Sequence, residues 1–174
     1  MTDKELIRRV QSGNKDALNA VIERYYDDIY RFCLYLTGQE NDSYDNTQEV
    51  FFKFIKYLKA YKHKNLKGYL LTIARNMCSS YFYCKKTMED VEALEMPEKN
   101  AQIEKVENKL VLWRLLQELP TEQREIVILR IYEELTFKEI AKMLGINIST
   151  VKSRYRLGIT HMRKWLEVKI EHVR

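Results

Sequence analysis

Glycine and proline are scarce in this chain of 174 residues, at 5 and 2. A β-sandwich or barrel needs a turn about every 8–12 residues, so so few turn formers argue against an all-β fold. Cysteine is scarce as well. Cys33, Cys78 and Cys84 are odd in number, widely spaced and form no CxxC pair. That excludes a disulfide framework or zinc knuckle and leaves small buried hydrophobes in a reducing compartment. The three histidines, His63, His161 and His172, are isolated. With no HExxH, GxSxG or P-loop motif, no catalytic constellation is visible, and neither an enzyme, a metal nor a cofactor is expected. No apolar run approaches the ~18 residues of a transmembrane helix. The opening Met1-Thr2-Asp3-Lys4-Glu5 lacks a signal peptide's apolar stretch, so a cytoplasmic protein without membrane insertion is expected.

What is present is charge and helical periodicity. Lys and Arg number 30 against 25 acidic residues, a net +5. The excess is uneven: residues 1–86 carry +5, residues 87–112 carry −4, and residues 113–174 carry +4. The acidic middle opens with Thr87-Met88-Glu89-Asp90-Val91-Glu92, contains Pro97 and shows little apolar periodicity before Ile103. It reads as a flexible acidic linker, longer than the usual ~4–6-residue loop. The expected division is therefore residues 1–86, a linker over 87–109, and residues 110–174.

Both lobes read as all-α. Thr2 and Glu5 form a capping box for a short first helix, which Gly13-Asn14 can end. Leu18, Val21, Ile22, Tyr25, Tyr26, Ile29, Phe32, Cys33 and Leu36 make one apolar stripe, and Gly38 sits where that helix should stop. A third helix is expected from about Ser43 to Leu58, capped by Asn41 or Asp42, and a fourth from about Leu66 to Lys86. In the second lobe a stripe runs through Val106, Leu110, Trp113, Leu116 and Leu119. Pro120 breaks it, and Thr121 can cap the next helix. Ile126 to Tyr132 is rich in β-branched residues, so a strand competes, but capped helical segments on both sides favour helix.

Residues 137–156 carry the sharpest pattern. Thr136 and Glu139 form a second capping box, Ala141 is small where two helices would cross, and Gly145 suits a turn of positive φ. Asn147 or Ser149 can cap the following helix. Ile140, Leu144, Ile146 and Val151 supply apolar filling. This is the helix-turn-helix pattern, whose second helix enters the DNA major groove. Val151, Tyr155, Gly158, Met162 and Leu166 should face the core, with Lys152, Ser153, Arg156 and Arg163 pointing elsewhere. From Thr150 to Trp165 there are five Lys or Arg and no acid. Such a face attracts phosphates and can reach base edges.

A second basic region runs from Val50 to Met88, with nine Lys or Arg, no acid and nine interleaved aromatics. Cations track a phosphate backbone while exposed aromatics stack on unpaired bases. Most of these rings are needed in a core, and two or three are expected to face nucleic acid. Just upstream, Asp42, Asp45 and Glu49 share a helix face with Gln48 beside them. That is either a solvated acidic patch near a helix N-terminus or a docking face for a basic protein partner.

In sum, these residues resemble a bacterial extracytoplasmic-function (ECF) sigma factor, the smallest class of the sigma-70 family. Residues 25–37 are similar to that family's "YYxxLYRFALRLT" helix, and residues 45–51 resemble its "DLVQEVF" segment. Residues 69–76 resemble "WLxxIARN", residues 119–124 "LPxxxR", and residues 150–154 match "TVKSR". The matches are in order and cover nearly the whole chain. Asn46-Thr47 replaces an apolar pair, Tyr69 stands where Trp is usual, Ser79-Ser80 replaces an apolar residue and Asp, and Tyr155 takes a common Leu position.

The resemblance implies a sigma region 2 bundle followed by a region 4 helix-turn-helix. It implies a promoter-specificity subunit acting in a stress-response regulon. Asp45, Gln48, Glu49 and Phe52 would dock on the β′ clamp helices of core RNA polymerase, and the C-terminal domain on the β flap. Lys67, Tyr69, Thr72, Arg75, Asn76 and Ser79 would contact the minus-10 element, with Tyr61, Lys62, His63, Lys64 and Asn65 near a flipped-out base. Thr150, Lys152, Ser153, Arg154 and Arg156 would read the minus-35 element. An anti-sigma factor is an expected partner, and a small-molecule substrate is not. Two other readings differ in what they predict. A stand-alone helix-turn-helix regulator would bind duplex operators without polymerase. A nucleic-acid enzyme would need clustered metal-binding carboxylates, and Asp42-Asp45-Glu49 makes a poor set.

Overall fold

The computed structural model describes residues 1–62, 65–86 and 111–171, with side chains for 1–62, 65–79 and 111–167. The chain divides into two compact units, Met1–Glu95 and Met96–Arg174. Among the described residues there is no strand. The acidic segment 87–109 lies outside the described residues, as do His63 and Lys64.

Four α-helices make up most of the described part of the first unit. Helix α1 spans Asp3–Gln11 and starts with the expected capping box: the Glu5 amide donates to Thr2 Oγ1 and the Thr2 amide to Glu5 Oε2 at 2.9 Å. Its Leu6 and Val10 are buried against α2, Lys15–Thr37. Asn14 caps α2 by accepting the Ala17 amide at 2.8 Å. Gly38 ends it at φ 75°, a left-handed cap in which its N–H reaches Leu34 O. The α2 stripe becomes the core, with Val21, Ile29, Phe32 and Cys33 fully buried.

Helix α3, Glu40–Tyr57, begins earlier than Asn41 or Asp42 as cap would allow. Gln39 holds the cap position without a side-chain capping bond to the helix amides, because Thr37 and Ser43 take over. The Thr37 hydroxyl accepts the Gln39 amide at 3.3 Å, and the Ser43 hydroxyl donates back to Gln39 O. A 3-10 turn, Leu58–Ala60, follows α3. Helix α4, Leu66–Lys86, packs on α2 and α3 through Leu66, Leu70, Leu71, Ala74 and Cys78. Asn65 accepts the Gly68 amide at 2.9 Å and caps it.

The second unit opens with helical residues 111–117, here α5. Helix α6, Thr121–Ile131, starts from Pro120 at the cap position, so Thr121 is its first residue rather than its cap. Ile126, Val127, Ile128 and Leu129 are all fully buried. A helix covered on every side shows no polar face, which is why this stretch imitates a strand. Helices α7, Phe137–Leu144, and α8, Ile148–Glu171, are separated by Gly145 at φ 66°. Asn147 directly precedes α8 and its carbonyl accepts the Val151 amide, whereas Ser149 lies inside the helix.

Gly158 sets the approach of α8 to α6. A Cβ there would lie 2.9 Å from Val127 Cγ2. Gly158→Ala should therefore destabilise this unit by about 1–3 kcal/mol, the cost of overpacking. The chain's two tryptophans, Trp113 and Trp165, both lie in the second unit, so the urea midpoint of tryptophan fluorescence measures the effect. An unchanged midpoint would mean that the two helices part easily.

Candidate nucleic-acid interface

Three exposed faces matter, two in the first unit and one in the second. On α3, Ser43, Thr47, Val50, Phe51 and Phe54 are buried. The opposite side presents Asp45, Gln48, Glu49 and Phe52, at steps of three, one and three, all exposed. Phe52 is 65% exposed, unusual for a large apolar ring, and Ile55 and Tyr57 extend the apolar surface at 41% and 52%. The polar pair Asn46-Thr47 is satisfied inside the bundle: Thr47 Oγ1 donates to Ser43 O at 2.6 Å, and Asn46 Nδ2 faces Cys78 Sγ at 3.9 Å. Acidic residues and an unburied ring on one face suit a partner surface with cations and an apolar pocket.

On α4, Tyr69, Thr72, Asn76 and Ser79 recur at three- and four-residue steps, with Arg75 beside them. Asn76 is exposed and the others are half-buried. The Thr72 hydroxyl donates to Gly68 O at 2.7 Å, and Arg75 Nη1 to Asn76 Oδ1 at 3.5 Å. Two expected contacts are placed elsewhere. Lys67 lies on the flank toward α2, where Nζ sits 3.1 Å from Asp28 Oδ2. Tyr61 is a core residue at 7% exposure, tilted against Tyr69 at 4.9 Å and edge-on to Phe54 at 6.4 Å. Burial, and then the nearby Asp3 carboxylate, push its hydroxyl up to about 12. Its ring serves the bundle, while Lys62 and Asn65 on either side of the undescribed pair are exposed.

In the second unit the capping box at Thr136 begins α7. Glu139 Oε2 accepts from the Thr136 amide at 2.8 Å and hydroxyl at 2.7 Å, which holds its carboxyl below the usual range. Val151 and Gly158 of α8 are buried as expected, and Tyr155 and Met162 half-buried. Leu166, expected in the core, is 39% exposed because it lies beyond the reach of the shorter α6 and α7. Lys152, Ser153 and Arg156 are exposed and Thr150 half-buried. Lys152, Arg156 and Arg163 rim a cavity of about 460 Å³ floored by Phe137, Tyr155 and Ile159. Phe137 is held edge-on to Tyr155 at 5.3 Å and beneath the Arg130 guanidinium at 5.2 Å. Arg163 thus extends the basic face by two turns; its spacing from Arg156 was the signal. Arg154, expected on the same face, is two residues from Lys152 and so ~200° around the helix. It pairs with Glu122 at 2.6 Å, at the start of α6.

Among the described residues no group of His, Cys, Asp or Glu could hold a metal ion, and no helix is long and apolar enough to cross a membrane.

The family comparison accounts for both units. The model described as Sigma-70 region 2 matches residues 21–87, and that described as Sigma-70, region 4, matches residues 109–162. The chain belongs to the sigma-70 family. Within it, the chain is an ECF sigma factor. It is 28% identical over 163 residues to the ECF sigma factor BldN of Streptomyces coelicolor, covering 87% of this chain and 61% of that one. It is 25% identical over 184 residues to SigW of Bacillus subtilis, covering 95% of this chain and 97% of that one. The chain thus spans about three fifths of the length of BldN and nearly all of SigW. Its fold is similar to that of the sigma factor RpoE, solved with the anti-sigma factor NepR from Bartonella quintana. The TM-score is 0.74 at 20% identity, over 86% of this chain and 96% of that one. CnrH, solved with the cytosolic domain of CnrY, gives 0.73 at 18%, over 95% and 97%. The region 2 match explains the N-terminal motifs that a stand-alone helix-turn-helix regulator leaves unexplained.

Proposed function

We propose that this ECF sigma factor binds core RNA polymerase in the cytoplasm and directs it to promoters, with no catalysis of its own. The observation that carries the reading is the exposed face of Asp45, Gln48, Glu49 and Phe52, lying opposite a fully packed core. That face docks on the β′ clamp helices. The α4 face of Tyr69, Thr72, Arg75, Asn76 and Ser79, with Lys62 and Asn65 at its start, contacts the minus-10 strand. Unstacking a base costs a few kcal/mol, which stacking and cation contacts offset. In the second unit, Lys152, Ser153 and Arg156 read the minus-35 duplex, with Thr150 at the helix start and Arg163 on phosphate, and the same unit meets the β flap. The working domains are 1–86 and 110–174, joined by an acidic linker, and two joined contacts act as a bivalent binder. The RpoE relative was solved bound to an anti-sigma factor, which supports such a partner here.

The test is a pull-down with bacterial core RNA polymerase. Wild type should bind tightly. Glu49→Lys should bind at least about tenfold more weakly, since a like charge set against a basic partner costs more than a lost rim contact. Glu49 is exposed, so the fold should be spared. Equal binding by both proteins would remove this face from the interface.

A further inference from the structure

One apolar side chain on α8 belongs neither to the core nor to the basic face. Leu157 is 48% exposed. A lone exposed leucine is ordinary on a protein surface, so its position matters here more than its exposure.

The rotation of α8 about its own axis is fixed by α6. Val151 and Gly158 are buried, and a Cβ at Gly158 would meet side chains of Val127 and Gln123. Arg154 Nη2 lies 2.6 Å from Glu122 Oε2, and His161 Nδ1 lies 2.9 Å from Gln123 Oε1. These ties hold one side of the helix. At ~100° per residue, the direction opposite Val151 and Gly158 runs between Ser153 and Arg156, each ~30° from it. Lys152 lies ~70° to one side of that direction and Leu157 ~70° to the other. All four are exposed. Leu157 therefore points outward as directly as Lys152 does. It stands in the first half of α8, Ile148–Glu171, and the N-terminal residues of such a recognition helix reach base edges.

The outward face thus has a cationic flank at Lys152 and an apolar flank at Leu157. The helix neighbours of Leu157 three and four residues away are Ser153, Arg154, Thr160 and His161, all polar, so no aliphatic neighbour on α8 covers it. In the major groove only thymine presents a methyl group to meet such a side chain. Against a guanine or cytosine edge a leucine would cover donors and acceptors without replacing their hydrogen bonds.

We infer that Leu157 reads a thymine methyl group in the minus-35 duplex, beside the base pairs met by Ser153 and Arg156. The inference rests on the promoter-binding reading above and adds an apolar determinant to its polar ones.

The experiment uses holoenzyme assembled from the full chain and core polymerase, on a promoter fragment that the wild-type holoenzyme selects. Each minus-35 thymine is replaced in turn by deoxyuridine, which keeps the pairing and removes only the methyl group. Wild type should lose about three- to fourfold in affinity at one position, the worth of one buried methyl group. Leu157→Ala should bind the thymine fragment at least about threefold more weakly than wild type. It should no longer distinguish thymine from deoxyuridine at that position, which is the coupling a double-mutant cycle isolates. Leu157→Met, of similar volume, should keep the discrimination. Thermal melts of both variants should coincide with wild type, because the side chain is exposed. Equal binding of thymine and deoxyuridine fragments by wild type at every position would overturn the inference. So would discrimination that survives in Leu157→Ala, or a loss in that variant that is the same for both fragments. The polymerase pull-down separates this inference from the reading beneath it. A chain that binds polymerase but ignores the methyl groups loses only Leu157 as a determinant. A chain that ignores polymerase loses the promoter reading, and this inference with it.

Discussion

Replacing Lys152 and Arg156 together with alanine should weaken binding to a duplex promoter fragment by about 10- to 100-fold at physiological salt. The two side chains are exposed one helical turn apart on the same face of α8, beside Arg163 and the Phe137–Tyr155 floor. If both neutralise phosphates, the slope of log K against log salt should fall by ~1.8, at ~0.9 per contact on B-DNA. If either is bidentate to guanine, its loss costs ~1–3 kcal/mol and relaxes selectivity at one base pair. Fluorescence anisotropy on a fragment selected by the wild-type holoenzyme, repeated across salt, separates the two cases. Arg154→Ala is the internal control. Its guanidinium is committed to Glu122, a partly exposed pair worth ~0–1 kcal/mol, so DNA affinity should change by no more than about twofold. A larger loss from Arg154→Ala than from the double variant would mean that α8 presents a different face to DNA.

The largest effect on stability should come from Arg124→Met. Arg124 is 8% exposed and donates to Gln117 Oε1 at 2.8 Å, Gln117 O at 2.9 Å and Leu119 O at 3.1 Å. It thus caps the C-terminal end of α5, where a cation also meets the negative end of the helix dipole. Desolvation lowers the guanidinium to about 10, opposed by Glu118, so it stays cationic at neutral pH. Two effects compete on substitution. Removing a buried charge recovers some desolvation cost, and whole buried ion pairs exchanged for hydrophobes are often neutral. Here the buried Leu119 carbonyl loses its donor and the half-buried Gln117 acceptors lose the guanidinium as well, and a buried group left without its partner costs ~1–3 kcal/mol. The second effect wins, and the second unit should lose about 2–4 kcal/mol, read by tryptophan fluorescence in urea. Arg124→Lys should recover little, because one ammonium cannot span acceptors set for a planar fork. A wild-type midpoint for Arg124→Met would show that the α5–α6 corner is held by apolar packing alone.

The residues that carry these effects differ in how legible they were. The capping boxes at Thr2 and Thr136, the glycine stops at Gly38 and Gly145, and the α2 stripe depend on neighbours three or four places away, so the linear sequence holds their whole logic. The Asp45–Gln48–Glu49–Phe52 face is legible for the same reason. The start of α3 was not, because Gln39 is satisfied by Thr37 and Ser43 and not by a side-chain cap of its own. Nor was the tie between α1 and the segment before α4, since Gln11 Nε2 and Tyr61 O meet across 50 positions.

By itself, then, the sequence determined the helices, their caps, the two basic lobes and the family motifs, because these rest on local periodicity and on which residues stand where. Only the tertiary structure decided which cations of the basic face stay exposed. Lys152 and Arg154 are both basic and share one motif, yet Glu122 of α6 claims one and leaves the other in solvent. Arg124 belongs to the LPxxxR motif but is a buried strut, and Tyr61, in a basic aromatic run, is core. A side chain's chemistry is set by its type, but its availability is set by what packs against it, and those neighbours come from distant parts of the chain.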